Sequence, residues 1–257
     1  MTTGDIFSLA IALTAVIAAT ILLILHERKK REIISTVTSL SRGESSERDL
    51  IYRLVKSGIP SSTIFHDLYI PTKRGHTQID LVVPTNVGIF VIEVKDYSGW
   101  IFGNGNHDRW TQVLAYGREK HQFYNPIKQN AGHIEALRNT SEQLHNVPIY
   151  SIIVFYGSSI LKQISNIPSN CQLVYPRSAA KLIRNIISSA SPAPYTNKWE
   201  VMDILKSGVE NGNNEAIRNA HLLKVQRASN GKFNSTYSYS YFHFTRFFRH
   251  RRRRFRF

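Results

Sequence analysis

Residues 6–25 read IFSLAIALTAVIAATILLIL, twenty residues without a charge and with only Ser8, Thr14 and Thr20 polar. At about 1.5 Å per residue a helix of this length spans roughly 30 Å, the thickness of a bilayer core. A buried helix of a soluble protein would carry a polar stripe, and none is present. A cleaved signal peptide would have a basic start and a shorter apolar core, whereas the leader MTTGD carries Asp5 and no Lys or Arg. HERKKRE follows the run at once, with Arg28, Lys29, Lys30 and Arg31. The positive-inside rule then predicts a single-pass membrane protein, its N-terminus outside and its C-terminal domain cytoplasmic. The reading is a transmembrane helix over 1–25 and a basic juxtamembrane stalk over 26–40.

The charge balance points the same way. Of the formal charge of +15, seven Arg lie in the last twelve residues, RFFRHRRRRFRF, and the remainder is still basic. A basic chain favours a polyanionic partner or an anionic membrane face, although a basic surface also serves solubility. With a single cysteine, Cys171, no intramolecular disulfide and no Cys-based metal knuckle can form.

Beyond the stalk the pattern is that of an α/β domain over 41–190. Ser41 and Glu44 have the spacing of a capping box, and Leu50, Ile51, Leu54 and Val55 form one apolar stripe that ends at Gly58-Ile59-Pro60. Glu47 falls on that stripe, one turn earlier. Three strands are expected at about 64–70, 77–83 and 89–95, separated by turns at Pro71–Gly75 and Pro84–Gly88. SGWIFGNGNHDRW reads as a loop or an exposed hairpin. Asn125-Pro126 is a strong helix start, and further strands at 149–155 and 172–175 precede a helix at 179–187. Residues 191–232 read as a linker with two short helices. Residues 233–257 read as a basic, aromatic and disordered tail, whose Arg and aromatic mix also suits single-stranded nucleic acid or anionic lipid.

The chemistry lies in the second and third strands. Within TQIDLVV the alternation puts Gln78, Asp80 and Val82 on one face and Ile79, Leu81 and Val83 on the other. Within GIFVIEVK, Ile89, Val91, Glu93 and Lys95 share a face. The short connection makes these strands an antiparallel hairpin, so Asp80 opposite or diagonal to Glu93 would place their Cβ atoms within about 4.5–8 Å. Two carboxylates at that distance can grip a hard divalent cation, with Lys95 beside them to position water or stabilise phosphoryl charge. The alternative is a solvated charge pair near a sheet edge. The apolar surroundings of Glu93 argue against it, because unpaired charge in a central strand is costly.

Gly43-Glu44-x-x-Glu47, Thr77–Asp80, Gly88–Lys95, Gly99-Trp100-Ile101, Trp110, and Asn125-Pro126-Ile127-x-Gln129-Asn130-x-x-His133 occur in order. Together these blocks resemble the nuclease-related domain family over about residues 40–160. That family is placed in the PD-(D/E)xK nuclease-like superfamily. The resemblance implies a restriction-endonuclease-like core (helix, three strands, helix, strand) around a mixed sheet. It also implies Asp80 and Glu93 as Mg²⁺ ligands, Lys95 as the catalytic lysine and Glu47 as an auxiliary acid. The chain departs from the pattern at Asp96, where Asn is common, and at Ile79, where the superfamily has Pro.

Gln129 and Lys128 on the helix after Pro126 are the candidate nucleic-acid contacts. His133 reads as the polar boundary of that helix, and Glu44 as a cap. The expected function is a membrane-anchored cytoplasmic nuclease, Mg²⁺-dependent and acting on DNA. The alternative is a non-catalytic scaffold of the same fold that tethers DNA or a protein partner at the membrane.

Overall fold

A computed structural model describes residues 3–230, and the tail expectation for 233–257 lies outside the described residues. The apolar run is part of one continuous helix, α1 (Thr3–Ser35), whose large apolar side chains are exposed over the first seven turns. Length and composition make it a candidate membrane span. Its last turns dock on α2 (Ser45–Lys56). Lys30 Nζ lies 2.7 Å from Asp49 Oδ1, His26 packs edge-on against Tyr52, and Ile34 is buried.

α2 begins at Ser45 with Glu44 as a cap residue whose side chain bonds nothing in the helix start. The capping box expected at Ser41 does not form. Gly43 intervenes with φ +62, a left-handed bend that turns the chain before the helix starts.

Next come β1 (Phe65–Thr72), β2 (Gly75–Thr85) and β3 (Gly88–Asp96), joined antiparallel, then β4 (Gly99–Asn104), β5 (Arg109–Leu114) and β6 (Glu119–Tyr124). Helix α3 (Pro126–Arg138) leads to β7 (Ile149–Tyr156), β8 (Ser159–Ser165), β9 (Cys171–Val174) and α4 (Pro176–Ser189). Helices α5 (Lys198–Asn213) and α6 (Glu215–Asn230) follow. A five-stranded mixed sheet has the order β1-β2-β3-β7-β9, with β3 parallel to β7, and a four-stranded mixed sheet has the order β6-β5-β4-β8.

The main sheet is covered on both faces, which is why β3 and β7 read as nearly unbroken apolar runs. On one face Leu50, Ile51 and Leu54 of α2 and Ile183 of α4 pack on Phe90, Ile92 and Val154. On the other, Leu137 of α3 and Val201 and Leu205 of α5 pack on Val82, Val91 and Ile149. α5 thus contributes to the core, its start capped by Asn197 accepting from Trp199 and Glu200 N–H.

The Gly-rich segment expected as a loop or exposed hairpin is a hairpin, β4–β5, and it is built into a second sheet between β6 and β8. Trp110, 1% exposed, lies parallel to Phe155 of the main sheet and seals the two together with Ile101 and Phe123. Gly103 makes room for it, since a Cβ there would fall on the indole ring. Burial of a Trp of this size gives the short strands their reason to pack.

Candidate active site

Asp80 stands where the β2–β3 ladder ends. The register closes at Leu81↔Ile92, and continuing it sets Asp80 opposite Glu93. There Asp80 Oδ2 accepts the Val94 N–H at 2.7 Å, so a side chain replaces the strand as the partner of that backbone donor. Side-chain alternation also slips at this point. Ile79 packs in the same cluster as Val82, on the α3 side, instead of sharing a face with Leu81 as strict alternation requires. The cause is visible in β1: Asp67, facing Asp80, has φ 56, and their pair is the one missing from an otherwise regular β1–β2 register. A residue held left-handed inside a strand breaks the pleat and re-aims its neighbours.

Glu93 is 2% exposed and is held from two sides. Lys95 Nζ lies 2.6 Å from Oε1, and His133 Nε2 lies 3.2 Å from Oε2. The second approach is close but poorly directed, so Glu93 Oε2 and His133 Nε2 are both buried without an aligned hydrogen-bond partner. Lys95 also donates to Gln129 Oε1 at 3.0 Å, and His133 Nδ1 bonds Thr77 Oγ1 at 2.9 Å. α3 therefore runs back along β3 with Gln129 and His133, one turn apart, both on the site.

The helical pattern alone sets His133 at a polar boundary; the structure buries it against Glu93. The four-residue spacing from Gln129 was the available signal. Asn125 fixes where this helix begins: its side chain accepts the Ile127 N–H at 2.9 Å and its amide donates to three carbonyls of the 104–107 turn. Lys128 faces away from this cluster, paired with Asp108 at 2.6 Å on an exposed surface.

Glu47 reaches the site from α2, buried at 5% exposure. Its Oε2 bonds His66 Nε2 at 2.9 Å, and His66 Nδ1 bonds Thr38 Oγ1 at 2.9 Å. His66 was not foreseen; a single His in a strand gives no signal until its partner helix is placed. Next to it, Asp67 is clamped by Arg42 (Nε–Oδ2 3.0 Å) and by the Gln78 amide at 2.8 Å.

The electrostatics follow from burial among like charges. Burial, then Glu93 and Glu47, push the Asp80 carboxyl well above the usual carboxylate range. Burial pushes Glu93 up as well, but Lys95 and His133 outweigh it and hold Glu93 low. Burial works against the Lys95 ammonium, yet Glu93, with Tyr97 and Asp80, raises its pKa, so Lys95 stays cationic. It can act as a charge and a donor, not as a base. Burial and then Glu47 raise Glu44, and burial raises Asp96.

Whether these residues suit a divalent cation can be judged from their own atoms. Asp80 binds a proton more readily than an ordinary carboxyl, and Glu93 Oε2 is a buried acceptor without an aligned donor; both would gain from a cation between them. Among the described residues no three His, Cys, Asp or Glu side chains form a ready-made ion cage. Two carboxylates with the remaining positions left to water and phosphate oxygens are a donor set that a hard divalent cation could use.

The family model of the nuclease-related domain matches residues 42–156, a span that holds Glu47, Asp80, Glu93, Lys95, Gln129 and His133. This segment is a nuclease-related domain. The family is placed in the PD-(D/E)xK nuclease-like superfamily. An uncharacterised protein of Bacillus anthracis is 33% identical over 146 residues, which take in 56% of this chain and 66% of that protein. No solved structure matches the chain. In the nuclease-related domain described here, the hairpin β2–β3 and helices α2 and α3 bring the acids and the lysine together.

Proposed function

We infer that this chain is a membrane-anchored nuclease that hydrolyses phosphodiester bonds of DNA with Mg²⁺. The observation that carries the reading is Asp80 beside Glu93 at the open end of the β2–β3 ladder, with Lys95 2.6 Å from Glu93. Asp80 and Glu93 would hold the cation. When bound there, Mg²⁺ supplies a more acidic water and screens phosphoryl charge. The chain's own groups do the rest. Gln129 holds the Lys95 ammonium beside Glu93, from where it would offset charge that develops on the phosphoryl oxygens of a bound strand. His133 and Lys95 fix the Glu93 carboxylate from both sides, and Glu47, pinned by His66, adds negative potential that favours a cation over an empty site.

Residues 41–190 are the unit that carries this chemistry, with the span at 1–25 and the stalk at 26–40. Arg28–Arg31 after the span support a cytoplasmic domain with the N-terminus outside. Docking of α1 on α2 through Lys30–Asp49 would hold the site close to the membrane face.

A second reading, a non-catalytic scaffold that tethers DNA or a protein partner, draws support from one feature. Glu93 is already engaged by Lys95 and His133, and Glu47 by His66. The two readings separate on incubation of the full chain, in detergent micelles, with supercoiled plasmid. The nuclease reading expects nicked or linear products with Mg²⁺ and none with EDTA. Retention of plasmid without any cut product would support the scaffold.

A further inference from the structure

The turn joining β5 to β6 holds a residue that the fold does not ask for. Leu114↔Glu119 is the last pair of this hairpin, and the tip has positive φ at two successive residues, Tyr116 (φ 55, ψ 37) and Gly117 (φ 102). That is the pattern of a type I′ turn, which favours Asn-Gly or Asp-Gly because both central residues are left-handed. A bulky aromatic at the first of them is strained, a departure that persists where something other than folding selects it.

Tyr116 gains nothing from packing: it is 98% exposed. Arg118 and Lys120 follow it and are also exposed, with Glu119 between them.

The tip lies at the site's end of the domain. Gln112 Nε2 donates to Ser98 O at 2.8 Å, three residues beyond Lys95, and Val113 pairs with Trp100. From Gln112 to Tyr116 the chain covers at most about 13 Å, at roughly 3.3 Å per residue. The three residues from Ser98 back to Lys95 add at most about 10 Å, so the tip stands within about seven base steps of the site at ~3.4 Å each.

We propose that the β5–β6 tip is a nucleic-acid contact in which Tyr116 stacks on an accessible base while Arg118 and Lys120 hold the flanking phosphates. The inference rests on the reading of the neighbouring site as one that acts on nucleic acid. Every base offers a π-face, so a single exposed ring beside two cations binds without sequence preference. An anchored enzyme with this tip would seize strand near its site and keep it there between cuts.

The test uses the full chain in phosphatidylcholine nanodiscs, with EDTA present so that no cleavage intervenes, and a single-stranded oligonucleotide carrying 2-aminopurine. The wild-type protein should bind and quench the probe by stacking. Tyr116→Asn, which suits the turn better, should melt at the same or a higher temperature yet bind about 5- to 150-fold more weakly, the range of one lost stack. Tyr116→Phe should keep both affinity and quenching. Replacing Arg118 and Lys120 by Ala should reduce the salt slope of binding by about one to two, near 0.7–0.9 per phosphate contact. Wild-type affinity and quenching in Tyr116→Asn would overturn the proposal. So would a tip that responds to phosphatidylserine in the disc while oligonucleotide binding ignores it. Quenching that depends on Tyr116 in a protein that cuts nothing would leave this contact standing and remove the nuclease reading; cleavage with binding indifferent to Tyr116 would do the reverse.

Discussion

Replacing Lys95 with Met should destabilise the protein strongly at neutral pH and hardly at all in acid. The pair it breaks is short, 2.6 Å, and enclosed, with side-chain exposures of 16% for Lys95 and 2% for Glu93. Removing one member of a buried pair leaves an uncompensated charge, at a cost of about 3–5 kcal/mol. In the wild type, burial raises Glu93 but Lys95 and His133 hold it below its ordinary value. A depressed carboxylate stabilises the fold above its unfolded pKa, and that contribution is lost as pH falls through the folded pKa. In the variant the main depressor is gone, burial dominates, and Glu93 takes up a proton at higher pH than before. The deficit relative to wild type should therefore be greatest near pH 7–8 and shrink toward pH 4. Urea unfolding of the full chain in detergent micelles, followed by Trp fluorescence across that range, reads it directly. The double variant Glu93→Gln/Lys95→Met should regain most of the loss, because it leaves no lone charge. A loss below about 1 kcal/mol for Lys95→Met, flat with pH, would show that the pair is solvated and that the buried-site argument is wrong.

Asp80→Asn should stabilise the metal-free protein at neutral pH. Its raised pKa means that the ionised form is disfavoured in the fold, and an amide keeps an acceptor for the Val94 N–H; a lower melting temperature at pH 7 would refute this. Gly43→Ala should cost upwards of about 1–2 kcal/mol for the left-handed backbone, since φ is +62 and the new Cβ would strike Glu47 Oε2 and His66 Nε2. A neutral change in the urea midpoint would mean that this clamp on Glu47 is loose. A reporter fused after Phe257 should be active in the cytoplasm, and an extracytoplasmic signal would remove the domain from intracellular DNA.

The hairpin that pairs Asp80 with Glu93 was legible because the Pro84–Gly88 connection is too short for anything but an antiparallel return. The start of α3 was legible from Asn125-Pro126, a cap whose chemistry is local. What the sequence hid is what depends on distant partners. His133 has the look of a helix boundary until Glu93 and Thr77 are seen against it, and His66 has no role without Glu47 and Thr38. The second sheet was missed because its strands are short and mix polar with apolar residues, β4 carries two glycines, and a few residues such as Trp110 supply most of its apolar contact. The slip of alternation at Asp80 was illegible for a related reason: it originates in the left-handed Asp67 on another strand.

The central claim is that Asp80, Glu93 and Lys95 form a metal-dependent phosphodiester-cleaving site, and any purified protein can carry a contaminating nuclease. The decisive measurement is therefore plasmid cleavage with Mg²⁺ by wild type and Asp80→Asn, prepared in parallel as full chains and shown by unfolding to be equally folded. The account predicts cleavage by the wild type, abolished by EDTA, and a loss of at least about a hundredfold in the variant, the scale of removing a group that stabilises transition-state charge. Equal cleavage by both proteins, or by neither, would contradict it.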